Sequence, residues 1–459
     1  MTGTTHRDQT RLSGLARPAM VLGLIMSLVA CEQEVILEGQ RFDTRLPLSA
    51  SAALQDDPDA EVLALATEDG PRDIALPDPV RVTSWEQRTF DTRNRLPHAT
   101  LSQSPTTAWV ADIGSGNSRR QRINTDPVAA DGRVFTLDAD TNLVATSIAT
   151  GAPLWSTSLL PDFDRGGGVS GGNLALAGDR LYVTTSYGEL IALDTASGAV
   201  IWRQRFGVPL GAPTVTGNRI HVVAEDGEAW SLNADDGTLR WQIPVTDVQA
   251  VLSGGASPAL SERHLILPFP TGEVQAVFPE TGVRVWGTFV AGGRLGVPYS
   301  TINDITADPV VVGNRIFVGN QSGRVVSLNA QTGRTQWAAR EGSYSPLLVV
   351  DDSVFFISDR NELIRLDSGS GERIWGAELP LFVRERERRR KAIFTHYGPV
   401  LAGGRIYVAS GDEVIRVFSP ESGAQIGSLE INGGAASNPI VVEDTLLVVS
   451  TDGRLHAYR

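Results

Sequence analysis

The chain has a single cysteine, Cys31, among 459 residues. An internal disulfide, a cysteine zinc site and a redox cysteine pair are therefore excluded. Lysine is almost absent, so the basic charge is nearly all arginine, and the formal net charge is −13. An acidic chain of this kind has no global electrostatic reason to bind nucleic acid. The six histidines (His6, His98, His221, His264, His396 and His456) are scattered and show no metal-ligand spacing. Long apolar runs are missing except for "AMVLGLIMSLVA" (Ala19–Ala30), which is short for a spanning helix. No helical periodicity competes with the β patterning described below.

The apolar run follows a basic leader with Arg7, Arg11 and Arg17 and ends in "LVAC". This is the layout of a secretory signal. The last four residues resemble a bacterial lipobox, in which the cysteine is acylated and becomes the new N-terminus. Residues 1–30 therefore read as a lipoprotein signal peptide and Cys31 as the lipidation site. Glu32, rather than aspartate, follows it, which points to the outer membrane. Residues 31–105 are rich in proline, aspartate and alanine, as in "DDPDAE" (Asp56–Glu61). They bury little apolar surface and read as a tether, although "WEQRTFDTRNRLPHA" (Trp85–Ala99) has the composition to pack.

Residues 106–459 are repetitive. "ATGAPLW", "ASGAVIW", "DDGTLRW", "ETGVRVW", "QTGRTQW" and "GSGERIW" end at Trp155, Trp202, Trp241, Trp286, Trp337 and Trp375, and a seventh copy ends at Gly427. The shortest interval between their glycines is 38 residues (Gly333 to Gly371) and the longest is 52 (Gly371 to Gly423). Such a period indicates a stacked or radial array. Within each unit, alternating β-formers surround a glycine turn, as in "RLYVTTSYGELIALD" (Arg180–Asp194). A short strand precedes each hairpin and a fourth begins at the tryptophan. Four antiparallel strands make a propeller blade. The C-terminal stretch Ser437–Arg459 supplies three strands, and "TTAWVADIG" (Thr106–Gly114), with Trp109, supplies the missing fourth. The fold predicted is an all-β, eight-bladed propeller closed by both chain ends. The seven tryptophans are assigned a structural role, each burying its ring between blades while its N–H reaches a carbonyl.

Catalytic signals are weak. "GVSGG" (Gly168–Gly172) fits a nucleophile motif in letters only, because an all-β repeat lacks the strand–turn–helix setting that motif needs. No cofactor or metal site is assigned. The run "RERERRR" (Arg384–Arg390) with Lys391 reads first as a solvated loop. Its sharper reading is a site for anionic lipid headgroups or an acidic partner.

Strand alternation puts the uniform "TG" turns on one face of the ring. The irregular inter-blade loops, including Thr246–Ala256 and Val290–Ala307, fall on the other face, where binding is expected. Leu252, Leu295, Val297 and Tyr299 are apolar residues of those loops.

The tryptophan repeat is similar to that of the quinone-dependent (PQQ) dehydrogenases. The whole arrangement, a lipobox followed by "EVILEGQR" (Glu34–Arg41), a tether, "TTAWVADIGSG" and a final "DGRLHAYR", resembles the BamB family of outer-membrane lipoproteins. The resemblance implies a non-catalytic, lipid-anchored scaffold on the periplasmic face of the outer membrane. It implies binding to the POTRA domains of BamA, membership with other Bam subunits, and assistance to unfolded outer-membrane proteins. The family's partner contacts map onto two neighbouring loops. In "VLSGGASP", Leu252 matches an apolar contact and Ser253 stands where the family has arginine. In "NDITADP", Asp304 is kept and Thr306 replaces a second aspartate. A PQQ-dependent dehydrogenase, and a lipoprotein binding a ligand through the central channel, are the alternatives.

Overall fold

The structure is a computed structural model that describes residues 70–164, 168–244, 255–290 and 304–459. Among the described residues there are eight sheets, each built on four antiparallel strands, and one of them carries a short fifth strand. Blade 1 runs through Val128–Ala130, Arg133–Leu137, Asn142–Ser147 and Pro153–Ser158. Blades 2 to 7 repeat the pattern. Blade 8 takes three strands from the C-terminus, Ile440–Val442, Thr445–Val449 and Arg454–Tyr458, and its fourth from Thr107–Asp112. The chain ends thus close the ring as the repeats predict, and the closure leaves no open outer sheet. The fold is all-β, and the one helical turn among the described residues is a 3-10 turn at Glu387–Arg389.

Burial follows strand position. In blade 2 the first three strands, Gly172–Ala177, Arg180–Thr185 and Glu189–Asp194, are almost wholly buried, whereas Val200–Arg205 is mostly exposed. The outermost strand therefore meets solvent. The first strand has its free edge toward the axis.

The repeated motif explains how neighbouring blades dock. In every blade the third and fourth strands slip by one residue at the position before the tryptophan or its counterpart. Such a bulge twists the strand and re-aims the next side chain. Here it turns the indole across to the next blade, onto the glycine of that blade's three–four turn. Gly198 has φ 71°, and a Cβ there would come within 2.5 Å of the Trp155 ring. Both the backbone conformation and the close ring contact require glycine. The indole N–H then donates to a carbonyl at the same turn. Trp109, Trp155, Trp202, Trp241, Trp286 and Trp337 reach Ile148, Thr195, Ala234, Pro279, Ala330 and Ser368 at 2.8–3.1 Å.

Two junctions depart from this pattern. Trp375 lies against Gly423 but its N–H has no partner. The buried Arg365 beside it donates to Pro420 O and Glu421 O at 3.2 and 3.3 Å, the carbonyls of that turn. Gly427 takes the tryptophan position of blade 7 because blade 8 has no continuous three–four turn to receive a ring. The termini meet there instead, through Thr106 N to Arg459 O (2.8 Å) and Arg459 N to Thr106 O (2.9 Å). Tyr458 Oη donates to Glu430 O at 2.7 Å and ties blade 8 to blade 7.

A second aromatic layer lies beneath the tryptophans. Phe135, Tyr182, Phe317 and Phe355 each pack on the tryptophan of their own blade, with ring centroids 5.7–6.1 Å apart. In blade 3 the same place is held by His221, fully buried and stacked on Trp241 at 5.7 Å. Burial pushes the imidazole down to about 3.

Two predictions follow from this packing. Between pH 6.5 and about 3 the unfolded chain takes up a proton at His221 that the folded chain refuses, so stability is lost as pH falls through that window. The contribution is up to about 1.4 kcal/mol per pH unit. His221→Phe, the residue type other blades use, will flatten that slope in urea titrations run at successive pH values. Trp286→Phe will cost about 1 kcal/mol more than Trp375→Phe, because only the former gives up an indole hydrogen bond; denaturant midpoints of the two variants measure the difference.

Candidate functional site

The two faces of the ring are distinct. The one–two and three–four turns meet on one face, as in Ile148 N to Gly132 O and Ala330 N to Asn314 O. The two–three turns and inter-blade connections meet on the other, as in Leu159 N to Thr141 O and Leu379 N to Asn361 O. We call these the turn face and the loop face.

Residues 70–105, read from composition as the end of a tether in which only Trp85–Ala99 is expected to be able to pack, lie against the ring over their length. The correction has a physical cause: Trp85, Leu96 and Leu101 are buried, and the polar groups beside them are paired. The segment runs along the turn face, enters the axial channel and leaves by the same face. Its two limbs are joined by Val80 N to His98 O (2.8 Å) and Thr100 N to Val80 O (2.9 Å).

This finger bonds to all eight blades. Trp85 exchanges two backbone hydrogen bonds with Ala129 on the free edge of blade 1. Glu86 O accepts from Leu176 of blade 2, Thr92 O from Leu260 of blade 4 and Arg93 O from Val311 of blade 5. Gln87 Oε1 accepts from Val215 of blade 3 at 3.4 Å. His98–Ala99 adds a short parallel strand to blade 7 at Leu401–Ala402. Val82 O accepts from Glu443 N of blade 8, and Ala75 N donates to Asp351 Oδ2 of blade 6. The contacts to the first strands of blades 1 to 5 and 7 are made at the axis, and those to Asp351 and Glu443 at the one–two turns of blades 6 and 8.

Arg88 is the finger's deepest charge. Its guanidinium donates to Gly255 O at 2.9 Å and lies 3.5 Å from Asp126 Oδ2 and 3.7 Å from Asp308 Oδ2. Burial opposes its charge, but the two carboxylates outweigh this and hold its pKa above the usual arginine value. Burial likewise pushes the Asp126 carboxyl up, against the pull of Arg88 and of Asn438, which donates to it at 2.7 and 2.8 Å. Asp308 accepts from Thr89 Oγ1 and from Ser257 N at 2.8 Å. Asn94, also buried, donates to Pro309 O at 3.0 Å.

The cluster decides between readings of the channel. A ligand carried through it would meet the chain's own Trp85 and Phe90, whose rings pack edge to face at 5.2 Å. The channel-ligand reading is corrected on that ground. A calcium-bound quinone needs carboxylates free to hold a cation, whereas Asp126 and Asp308 are turned to an arginine. Among the described residues no group of three or more His, Cys, Asp or Glu could hold a metal ion. These axial residues do not fit that cofactor.

Of the residues assigned to partner contact, Asp304 and Thr306 are described, and they sit at the loop-face end of the connection from blade 4 to blade 5. Asp304 is 4% exposed and lines a cavity no larger than a water with Val223, Gly255 and Pro268. Thr306 is half-buried and donates to Ser343 O in the next inter-blade connection. Both shape the end of the loop from within rather than presenting side chains to solvent. Leu252, Ser253, Leu295, Val297 and Tyr299 lie outside the described residues, as does Cys31. The finger residues Arg88, Thr89 and Asn94, with Asp126 and Asp308, were not singled out by the sequence. Their only signal is one tryptophan and one phenylalanine within a polar stretch.

A ring of eight four-stranded blades, seven of them carrying a docking tryptophan, with the inter-blade connections on one face, defines an eight-bladed β-propeller. The family described as outer membrane protein assembly factor BamB matches residues 139–377 and 384–459, and the chain belongs to it. The BamB proteins of Salmonella typhimurium and Escherichia coli are each 27% identical over 367 residues, 79% of this chain and 91% of theirs. The crystal structure of BamB from Moraxella catarrhalis superposes with a TM-score of 0.64 at 19% identity, covering 78% of this chain and all of that one. Quinohemoprotein alcohol dehydrogenase from Comamonas testosteroni superposes at 0.60 with 14% identity, over 83% and 81% of the two chains, and shares the fold. The relatives that share sequence carry the name of an assembly factor, not of an enzyme. The axial finger precedes the matched residues.

Arg88→Met will leave two carboxylates buried without their cation and cost about 3–5 kcal/mol. The additional change Asp308→Asn will recover part of it. Urea midpoints measure the cost, and limited proteolysis will show cleavage within 70–105 in the single variant first.

Proposed function

We propose that this protein is a non-catalytic, lipid-anchored scaffold subunit of the outer-membrane β-barrel assembly machinery. It is held by Cys31 at the periplasmic face of the outer membrane, and its loop face binds the POTRA domains of BamA. Other Bam subunits share the complex, and unfolded outer-membrane proteins are its clients. Family membership over most of the ring is the observation that carries this reading. The geometry supports it in two ways. The axial channel is stapled by the chain's own residues, which leaves the faces for partners. The irregular connections gather on one of those faces, where varied loops on a rigid scaffold serve recognition.

Buried Asp304 acts in this reading by fixing the loop that carries the apolar contact, and Leu252 makes that contact. Replacing Asp304 by arginine would place a charge in a closed site and disturb the loop as a whole. Leu252→Arg is therefore the diagnostic variant. Affinity purification from solubilised outer membranes will recover BamA with the parent chain. Leu252→Arg will reduce recovery at least tenfold with an unchanged thermal midpoint. Absence of BamA from the parent preparation, or full recovery with Leu252→Arg, overturns the assignment.

A further inference from the structure

The connection between blades 6 and 7 is a built finger on the loop face. Its base is closed by a bridge between Phe382 and Ile393, by Val383 N to Ala392 O at 3.0 Å and by Phe394 N to Leu381 O at 2.9 Å. Its tip is Arg384–Lys391, with six cations and two carboxylates, every residue exposed. Backbone hydrogen bonds within Arg386–Lys391 shape the tip together with the Arg390 side chain: its Nε donates to Glu385 O at 3.0 Å, and its guanidinium lies 4.7 Å above the Phe382 ring. Arg384, Arg388, Arg389 and Lys391 surround a concavity of about 340 Å³ with Val383 and Ala392. None of these four cations is paired with a carboxylate among the described residues. The match to the BamB family breaks between residues 377 and 384, at the foot of this finger.

Charge and polarity together select the ligand. A chain of net charge −13 concentrates unpaired cations at one loop tip, which sets the approach of a polyanion. The shoulders of the tip are apolar and outward: Val383 is 46% exposed and Ile393 is 54% exposed. Cations at a tip with aliphatic shoulders suit the headgroup–acyl boundary of a bilayer, where phosphates meet the charges and methyl groups enter the apolar side. An acidic protein surface would pair the cations but leave Val383 and Ile393 without apolar partners. A second exposed basic group, Arg119, Arg120 and Arg122, lies on the same face in the connection from blade 8 to blade 1.

We propose that the blade 6–7 finger is a binding site for anionic phospholipid, seating a headgroup phosphate among Arg384, Arg388, Arg389 and Lys391. It docks the loop face on a membrane independently of any acyl anchor and of the assembly reading above.

Lys391 is the only lysine in the chain, so amine labelling mapped to it reports on this site alone. The full chain is mixed with vesicles of phosphatidylcholine, or of phosphatidylcholine with phosphatidylglycerol, and cosedimentation and Lys391 labelling are followed. Phosphatidylglycerol is expected to increase binding and protect Lys391, and the increment is expected to fall as salt is raised. Each cation changed to glutamine will lower the increment about fivefold, and R384E/R388E/R389E/K391E will abolish it. An anchor contributes equally to parent and variant, so the increment is the reading. The tip is exposed, and the variants are expected to keep the parent thermal midpoint. If the quadruple variant melts lower, Arg388→Gln, which keeps Lys391 as the reporter, decides through the loss of Lys391 protection. An increment unchanged by the substitutions, no protection of Lys391, or protection by an acidic protein but not by phosphatidylglycerol overturns the proposal.

Discussion

The indole-on-glycine contact is the constraint on which the ring depends. A blade by itself has one open flank on each side, and a four-stranded meander has no reason to adopt one angle to its neighbour. The bulge before each tryptophan, the ring it aims and the glycine that receives it fix that angle at seven successive junctions. The hydrogen bond from the indole then satisfies a turn carbonyl that would otherwise be left in a poorly solvated seam. Because the same parts recur, errors of angle do not accumulate, and the last blade arrives where the first can complete it.

The departures from the rule are as informative as the rule. Where the seam carries no turn, at the meeting of the termini, the ring is absent and Gly427 suffices. Where Arg365 has taken the turn carbonyls, the tryptophan remains for its packing alone. Arg365 also donates to the carbonyls of Arg72 and Asp73, at 2.6 and 3.1 Å. The sixth junction is thus sealed by a residue of the blade and by the segment that goes on to the axis. Ring geometry and the axial finger are coupled at that point.

The fold was legible because its determinants are local and repeated. Each "TG…W" phrase encodes a turn, a bulge and a docking ring within a few residues, and the unmatched strands at the two ends announce the closure. The finger was not legible, because nothing in "VTSWEQRTFDTRNR" is periodic. Its stability comes from partners as distant in sequence as Asp308 and Glu443, and composition alone gives proline, aspartate and arginine the look of a solvated tether. The loop-face residues were legible in position but not in orientation. Asp304 and Thr306 lie at the end of the expected loop, yet their side chains are turned inward. The direction of a loop side chain depends on packing that spacing does not report. His221 was visible as an isolated histidine, but its place in a row of aromatic residues appears only once the blades are superposed on one another.

The axial finger has a consequence in time. Its residues leave the ribosome before any blade exists, while its last partners, Glu443 and Asp444, belong to the eighth blade and are made after the other seven. No partly made chain offers the whole site, since the contacts are spread around the full circumference. Long-range contacts of this kind form late, after the entropy of closing the large loop has been met. Because the finger enters and leaves by one face, it can seat in a finished ring without threading. Its seating therefore marks completion: a segment synthesised before every blade of the ring is the part that records that the last blade is in place.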